Sequence, residues 1–251
     1  MERLDKISDI HVHLGVSSGI YRAFTGEDIL KFKETFNIQK IVLMSFERNV
    51  EENNRTISEL SQKYASVFGL YWIQKSRIDK DIIALEKSLN KKMIGVKFHG
   101  YYEGYPVSAK CYQPIMELLS QKQGILLVHT GRYKDGAIES NTSYLHAIDV
   151  ARNYNKVKVI MAHMGGSDTT IAKKAIVDSK ELSNVYFDTS GITTPHVIEY
   201  ALKYIDSRKI IFGSDEPWCS FRSMYYNIID ANIDDDSKAN ILYESFNRLV
   251  E

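Results

Sequence analysis

The chain has 251 residues, 44% hydrophobic and 25% charged, and its 32 basic residues balance 32 acidic ones to a formal net charge of zero. This is ordinary globular usage, enough for one domain with a large core, and it gives no general pull towards nucleic acid or an anionic membrane. Two cysteines, Cys111 and Cys219, form no C-x-x-C pair, which argues against a disulfide framework or a cysteine zinc site, and no stretch approaches the roughly 20 apolar residues of a membrane span. The start, Met1-Glu2-Arg3-Leu4-Asp5-Lys6, lacks the apolar core of a signal peptide, so a soluble cytoplasmic protein is expected.

Ile7 to Gly15 reads as a first strand with two histidines at its end. Side chains alternate faces along a strand, so His11 and His13 point the same way and can share one metal ion. Alone, such a pair is more often the polar edge of a strand. Gly26 to Asn37 follows with Ile29, Leu30, Phe32 and Phe36 at helical spacing, then the strand Lys40 to Ser45. The alternation continues with a helix Glu51 to Tyr64, strand Val67 to Ile73, helix Asp79 to Asn90 and strand Met93 to His99. The second half repeats it: helix Ala109 to Lys122, strand Gly124 to His129, helix Ser143 to Tyr154 and strand Val157 to His163. Last come helix Asp168 to Lys180, strand Asn184 to Asp188, helix Pro195 to Ile205, strand Lys209 to Gly213 and terminal helices.

Each strand is separated from the next by a helix-length crossover, which implies parallel pairing. Eight such units in a chain of this length make a single-domain (β/α)8 TIM barrel over residues 1–251, with an extra C-terminal helix, the economical fold. A doubly wound open sheet is the alternative, but the first turn has no G-x-G-x-x-G fingerprint.

Of seven histidines, His11, His13, His99, His129 and His163 fall at the C-terminal ends of predicted strands, while His146 and His196 lie in helical stretches. Barrel active sites are built at that end. Asp215 closes the set after the eighth strand, which neighbours the first in a closed barrel.

Several stretches together resemble the amidohydrolase superfamily, in its amidohydrolase-related branch of hydrolases, lactonases and nonoxidative decarboxylases. They are Asp9-Ile10-His11-Val12-His13, Gly95-Val96-Lys97-Phe98-His99, Val128-His129-Thr130-Gly131, Ala162-His163-Met164-Gly165-Gly166, Tyr186-Phe187-Asp188-Thr189-Ser190-Gly191 and Phe212-Gly213-Ser214-Asp215-Glu216-Pro217. The resemblance implies one divalent metal, with zinc expected, held by His11, His13, His129 and Asp215. It implies catalytic roles for Asp215 and for His163, the latter transferring protons or binding substrate. Binuclear superfamily members carry a carboxylated lysine on strand four. Lys97 is instead expected as an uncarboxylated buried cation facing substrate, with His99 as a wall.

Around the predicted mouth lie Arg48, Trp72, Lys75, Arg77, Tyr101, Tyr102, Tyr105, Arg132, Tyr133, Lys134, Trp218 and Arg222. This cationic and aromatic bias on a neutral chain points to a small anionic substrate bound by Lys97, His99, Arg132 and Trp218. The leading expectation is a metal-dependent hydrolase of an amide, lactone or ester. In it Asp215 takes a proton from metal-activated water and His163 assists. The alternative is a metal-dependent nonoxidative decarboxylase of an aromatic or unsaturated acid. Branch decarboxylases often replace the first histidine with glutamate, so the intact His11-Val12-His13 leans towards hydrolysis. A phosphoesterase and a non-catalytic anion-binding barrel rank lower. Partners are expected to be a small-molecule substrate and a second copy in a homo-oligomer, with no nucleic acid and no membrane, although no helix stripe marks an interface.

Overall fold

A computed structural model describes residues 6–20, 22–90, 92–131 and 140–250. Within it the apolar runs pair as parallel strands in chain order: β1 (Ile7–Leu14), β2 (Ile38–Ser45), β3 (Val67–Trp72), β4 (Met93–Phe98), β5 (Ile125–Val128), β6 (Lys158–Met161), β7 (Val185–Asp188) and β8 (Ile210–Ile211). β8 is short, and backbone bonds close the barrel to β1. Ile10 N–H donates to Phe212 O at 3.1 Å, Asp215 N–H to His11 O at 2.8 Å and His13 N–H to Glu216 O at 2.9 Å. This is the (β/α)8 barrel expected from the alternation.

The crossovers are α1 (Gly26–Thr35), α2 (Val50–Lys63), α3 (Ile78–Ser88), α4 (Gly100–Glu103), α5 (Gln113–Lys122), α6 (Tyr144–Asn153), α7 (Thr169–Ser179) and α8 (His196–Ala201), followed by α9 (Phe221–Ile229), α10 (Asp235–Ala239) and α11 (Ser245–Val250). Their starts follow local chemistry. Thr25 and Asp28 form a reciprocal capping box on α1, and Asp168 accepts from the first-turn N–H groups of α7. No helix among the described residues is long and apolar enough to cross a membrane.

Two apolar layers result. Outward strand residues such as Val12, Leu43, Val96, Leu126 and Val159 pack under the helices. Inward ones, including Ile10, Val42, Leu70, Leu127 and Ile160, fill the barrel with Phe246 and Leu249 of α11.

Among the register shifts, those in β1 and β4 re-aim site residues. From Asp9 to Val12, β1 advances three residues while its partner goes from Ile41 to Leu43, and β4 likewise goes from Met93 to Gly95 while β3 goes from Gly69 to Leu70. Each is a bulge with one extra residue, the device that re-aims side chains beside active sites. In β1, Ile10 faces inward, yet Val12 beyond the bulge faces outward, so His11 and His13 turn inward. In β4 the same shift turns Lys97 inward. A Cβ on Gly95 would lie 1.9 Å from Ile125 O, so only glycine lets the backbones meet at that bulge.

Some expected boundaries move. The helix expected from Ala109 begins as an α-helix only at Gln113, with Pro114 in its first turn and a single 3-10 turn over Lys110–Tyr112 before it. Between β4 and that helix, where the pattern assigns no element, α4 forms, and Gly104 at φ +67 stops it after one turn. β6 ends before His163, which sits in the following turn at φ 56, its N–H donating to Asp188 Oδ1 at 3.0 Å instead of to the strand ladder.

Candidate active site

The C-terminal ends of the strands surround a cavity of about 670 Å³, ordinary for a small-molecule site. Its floor carries His11, His13, Lys97 and Asp215, and aromatic side chains Phe46, Trp72, Tyr102 and Trp218 form much of its walls. His11 and Lys97 are each only 1% exposed.

The hydrogen bonds assign the tautomers. His11 Nδ1 lies 2.8 Å from Asp188 Oδ2 and His13 Nδ1 3.0 Å from Ser45 O. Carboxylate and carbonyl oxygens only accept, so both Nδ1 atoms carry the proton and both Nε2 atoms present lone pairs. Those Nε2 atoms are 3.2 Å apart, and Asp215 Oδ1 lies 3.4 Å and 3.1 Å from them. Three electron-rich atoms around one point repel unless a cation sits among them. For ligands roughly 2.1 Å from a shared ion, neighbouring ligand atoms fall about 3.0–3.4 Å apart, so the donor set fits a divalent metal. His11, His13 and Asp215 are the group among the described residues with ligand atoms all within 4.8 Å of one another.

His129, the fourth expected ligand, stands beside that group. Its Nδ1 is 3.1 Å from His163 Nε2, and its ring stacks on His99 at 3.8 Å and 11°. His163 Nδ1 donates to Ser190 O at 3.1 Å, which leaves Nε2 of His163 to accept from Nδ1–H of His129. By the same logic the lone pair of His129 is on Nε2, the atom a metal takes.

Electrostatics follow burial. Burial, with the Lys97 charge, lowers His11 to about 4, so its ring stays neutral and able to ligate. Burial likewise pulls His99 and His129 well below the usual imidazole range and Lys97 down to about 8. Lys97 Nζ lies 2.9 Å from His11 Nε2. Burial alone would raise Asp188 and Asp215, but contact with the histidines outweighs it and holds both well below the usual carboxylate range.

Three supporting residues were missed in the sequence reading. Asp188, fully buried, accepts from His11 Nδ1, His163 N–H and Ser190 N–H. Ser190 Oγ donates to Asp188 Oδ1 and lies 3.1 Å from His11 Nδ1 and 2.9 Å from His163 Nδ1, tying the two rings together. Glu103 accepts from Trp72 Nε1 at 3.3 Å and from Lys75 N–H at 2.7 Å, which holds α4 and the Tyr102 ring over the cavity. Asp188 and Ser190 belong to a quoted motif; the signal was present without a role attached.

Of the expected substrate-binding residues, Lys97, His99 and Trp218 line the cavity. Arg132, with Tyr133 and Lys134, lies outside the described residues. The expected cationic rim is reduced: Lys97 is the one lysine or arginine among the described lining residues. Arg77 pairs with Glu51 and Arg222 sits over the Phe36 ring, both away from the cavity.

The fold is shared with solved structures. One is a 2,6-dihydroxybenzoate decarboxylase from Rhizobium, 12% identical with a TM-score of 0.78, the match covering 98% of each chain. Another is a dihydroxybenzoic acid decarboxylase from Polaromonas with bound manganese and the inhibitor 2-nitroresorcinol, 13% identical with a TM-score of 0.77 over 98% of this chain and 96% of the other. A third is a probable 2-pyrone-4,6-dicarboxylic acid hydrolase from Acinetobacter baumannii with citric acid bound, 15% identical with a TM-score of 0.71 over 97% and 98%. By sequence, no curated protein matches the chain. The amidohydrolase family profile matches residues 15–245, nearly the whole barrel. The chain belongs to the amidohydrolase family.

Proposed function

We propose that the protein is a metal-dependent nonoxidative decarboxylase of a small aromatic or unsaturated carboxylic acid. The observation that carries this reading is the cavity itself, an aromatic-walled slot above a buried cationic floor. A flat ring enters between Phe46, Trp72, Tyr102 and Trp218 with its carboxylate towards Lys97 and the His11–His13–Asp215 group. Structures sharing the fold include decarboxylases of ring acids, which supports the same substrate class. This reverses the order of the sequence expectation, in which hydrolysis led.

His11, His13 and Asp215, with His129 beside them, would hold the ion. Two or three imidazoles and a carboxylate suit zinc and manganese alike, and manganese is bound in the Polaromonas protein. The bound ion supplies Lewis-acid polarisation of the substrate carboxylate. Lys97 adds a second positive charge at the floor, and Asp188 and Ser190 fix the ring planes of His11 and His163. The bond between ring carbon and carboxylate breaks, its electron pair stays on the ring carbon, and carbon dioxide leaves. A proton drawn from solvent and relayed through His163 replaces it, so acid and proton become arene and carbon dioxide.

Hydrolysis is the second reading, favoured by the intact His11-Val12-His13 and the likeness to a pyrone hydrolase. There Asp215 accepts the proton of the attacking water. Heavy-oxygen water separates the two on metal-replete protein. The proposal expects carbon dioxide release with only a solvent proton placed on the ring; a product carrying solvent oxygen, its carboxylate retained, refutes it.

A further inference from the structure

Glu47 lines the same cavity, and the chemistry above gives it no task. It follows Phe46 at the end of β2, and the Phe46 ring lies parallel on His13 at 4.4 Å and 8°, so this stretch is held against the metal-binding group. Glu47 is not itself in that group. Its carboxylate is anchored through one oxygen: Oε1 accepts Ser18 N–H at 2.7 Å and Ser17 Oγ–H at 3.2 Å. Oε2 accepts no hydrogen bond among the described residues, and no lysine or arginine among them pairs with Glu47. The anchoring loop is pressed onto the cavity wall, since a Cβ on Gly19 would come 2.1 Å from Trp218 Cη2.

We infer that Glu47 is a specificity-determining residue that reads a hydrogen-bond donor on the substrate ring. The inference rests on the decarboxylase reading of this cavity and narrows its substrate to a monocarboxylic ring acid carrying a hydroxyl or amino group. An ionised carboxylate is acceptor-only, so Oε2 rewards an O–H or N–H with a charge-assisted bond. A ring without a donor strips water from that oxygen and returns nothing, which is how polar sites reject close analogues. A second substrate carboxylate on this side meets like charge in a partly dry cavity and is excluded. The floor selects the first carboxylate and Glu47 rejects another.

Calorimetric binding to metal-replete protein tests this with benzoate, the three hydroxybenzoate isomers and benzene-1,3-dicarboxylate. Wild type should bind at least one hydroxybenzoate roughly 10-fold or more tighter than benzoate, and the dicarboxylate more weakly than benzoate. Glu47→Gln, which keeps an oxygen for Ser17 and Ser18, should shrink the hydroxyl preference at least about 5-fold and admit the dicarboxylate. Glu47→Asp keeps the charge but withdraws it by one methylene, so it should lose the hydroxyl preference and still reject the dicarboxylate; it carries the test if Glu47→Gln does not fold. An unchanged ratio in the variants, or a wild type that binds none of these acids, overturns the inference. Selectivity that responds to Glu47 while no bound acid releases carbon dioxide leaves the subsite standing and removes the decarboxylase reading.

Discussion

At its N-terminal end the barrel is stoppered by its own last helix. Phe246 and Leu249 of α11 enter the interior beside Ile10, Phe68, Ile125 and Ile211, and the Phe68 and Phe246 rings meet edge to face at 5.4 Å. Lysines at the rim are satisfied locally, Lys158 by Leu249 O and Lys40 by Asn247 Oδ1. At the opposite end the same interior columns finish in His11, His13, Lys97, His99 and Asp215. There burial works against charge, pushing His11 down to about 4 and Lys97 to about 8. One end stabilises the fold by removing apolar surface from water. The other holds polar groups in place at a cost in stability and gains a reactive site.

Substitutions should therefore separate cleanly between the two ends. The largest effect is expected for His13→Ala, which removes one of the facing Nε2 atoms: turnover should fall on the order of a thousandfold or more and metal content should drop. Compared without metal, the two proteins should melt at nearly the same temperature. Next is Phe246→Ala in the stopper, expected to cost about 3–5 kcal/mol in urea unfolding while turnover per folded molecule stays within about twofold. If Phe246→Ala lost activity in its folded fraction, the two ends would not be independent.

A third test uses Asp9, a buried carboxyl raised to about 7 by burial, whose Oδ1 accepts from Ser214 N–H at 2.9 Å and whose Oδ2 is unpartnered. A raised folded value means the native state holds the proton that the unfolded chain releases near pH 4. The stability Asp9 contributes is thus full below that pH and is lost as pH rises through about 7. Between pH 5 and 8 wild type should lose roughly 2–3 kcal/mol relative to Asp9→Asn; parallel stability curves would contradict this. The smallest effect is expected at Ser190. Ser190→Ala removes the hydroxyl between His11 and His163 and should lower kcat about 10-fold with KM and fold unchanged, as measured by steady-state kinetics and circular dichroism.

Much of this was legible in the sequence. Continuous apolar runs such as Ile125-Leu126-Leu127-Val128 mark buried parallel strands, and histidines at their ends mark the site. The bulges in β1 and β4 were not legible, because period-two alternation assumes an unbroken strand, while inward-facing Ile10 and His11 are adjacent in sequence. The pairing of His13 with Phe46 and of His11 with Asp188 is long-range and leaves no spacing signal. Arg77 and Arg222 were misread as mouth residues because following a strand end does not say which way a side chain turns. Arg77 turns to Glu51, and Arg222 of α9 turns to the Phe36 ring at the end of α1.

The central claim is that the polar end of the barrel is assembled around one divalent ion. Equilibrium dialysis of metal-free protein against zinc and manganese, with elemental analysis of the retained ion, tests it most directly. The account predicts saturation at one equivalent per chain for wild type and for Phe246→Ala, and loss of tight binding in His13→Ala. Two tight equivalents, or retention of metal by His13→Ala, would contradict it.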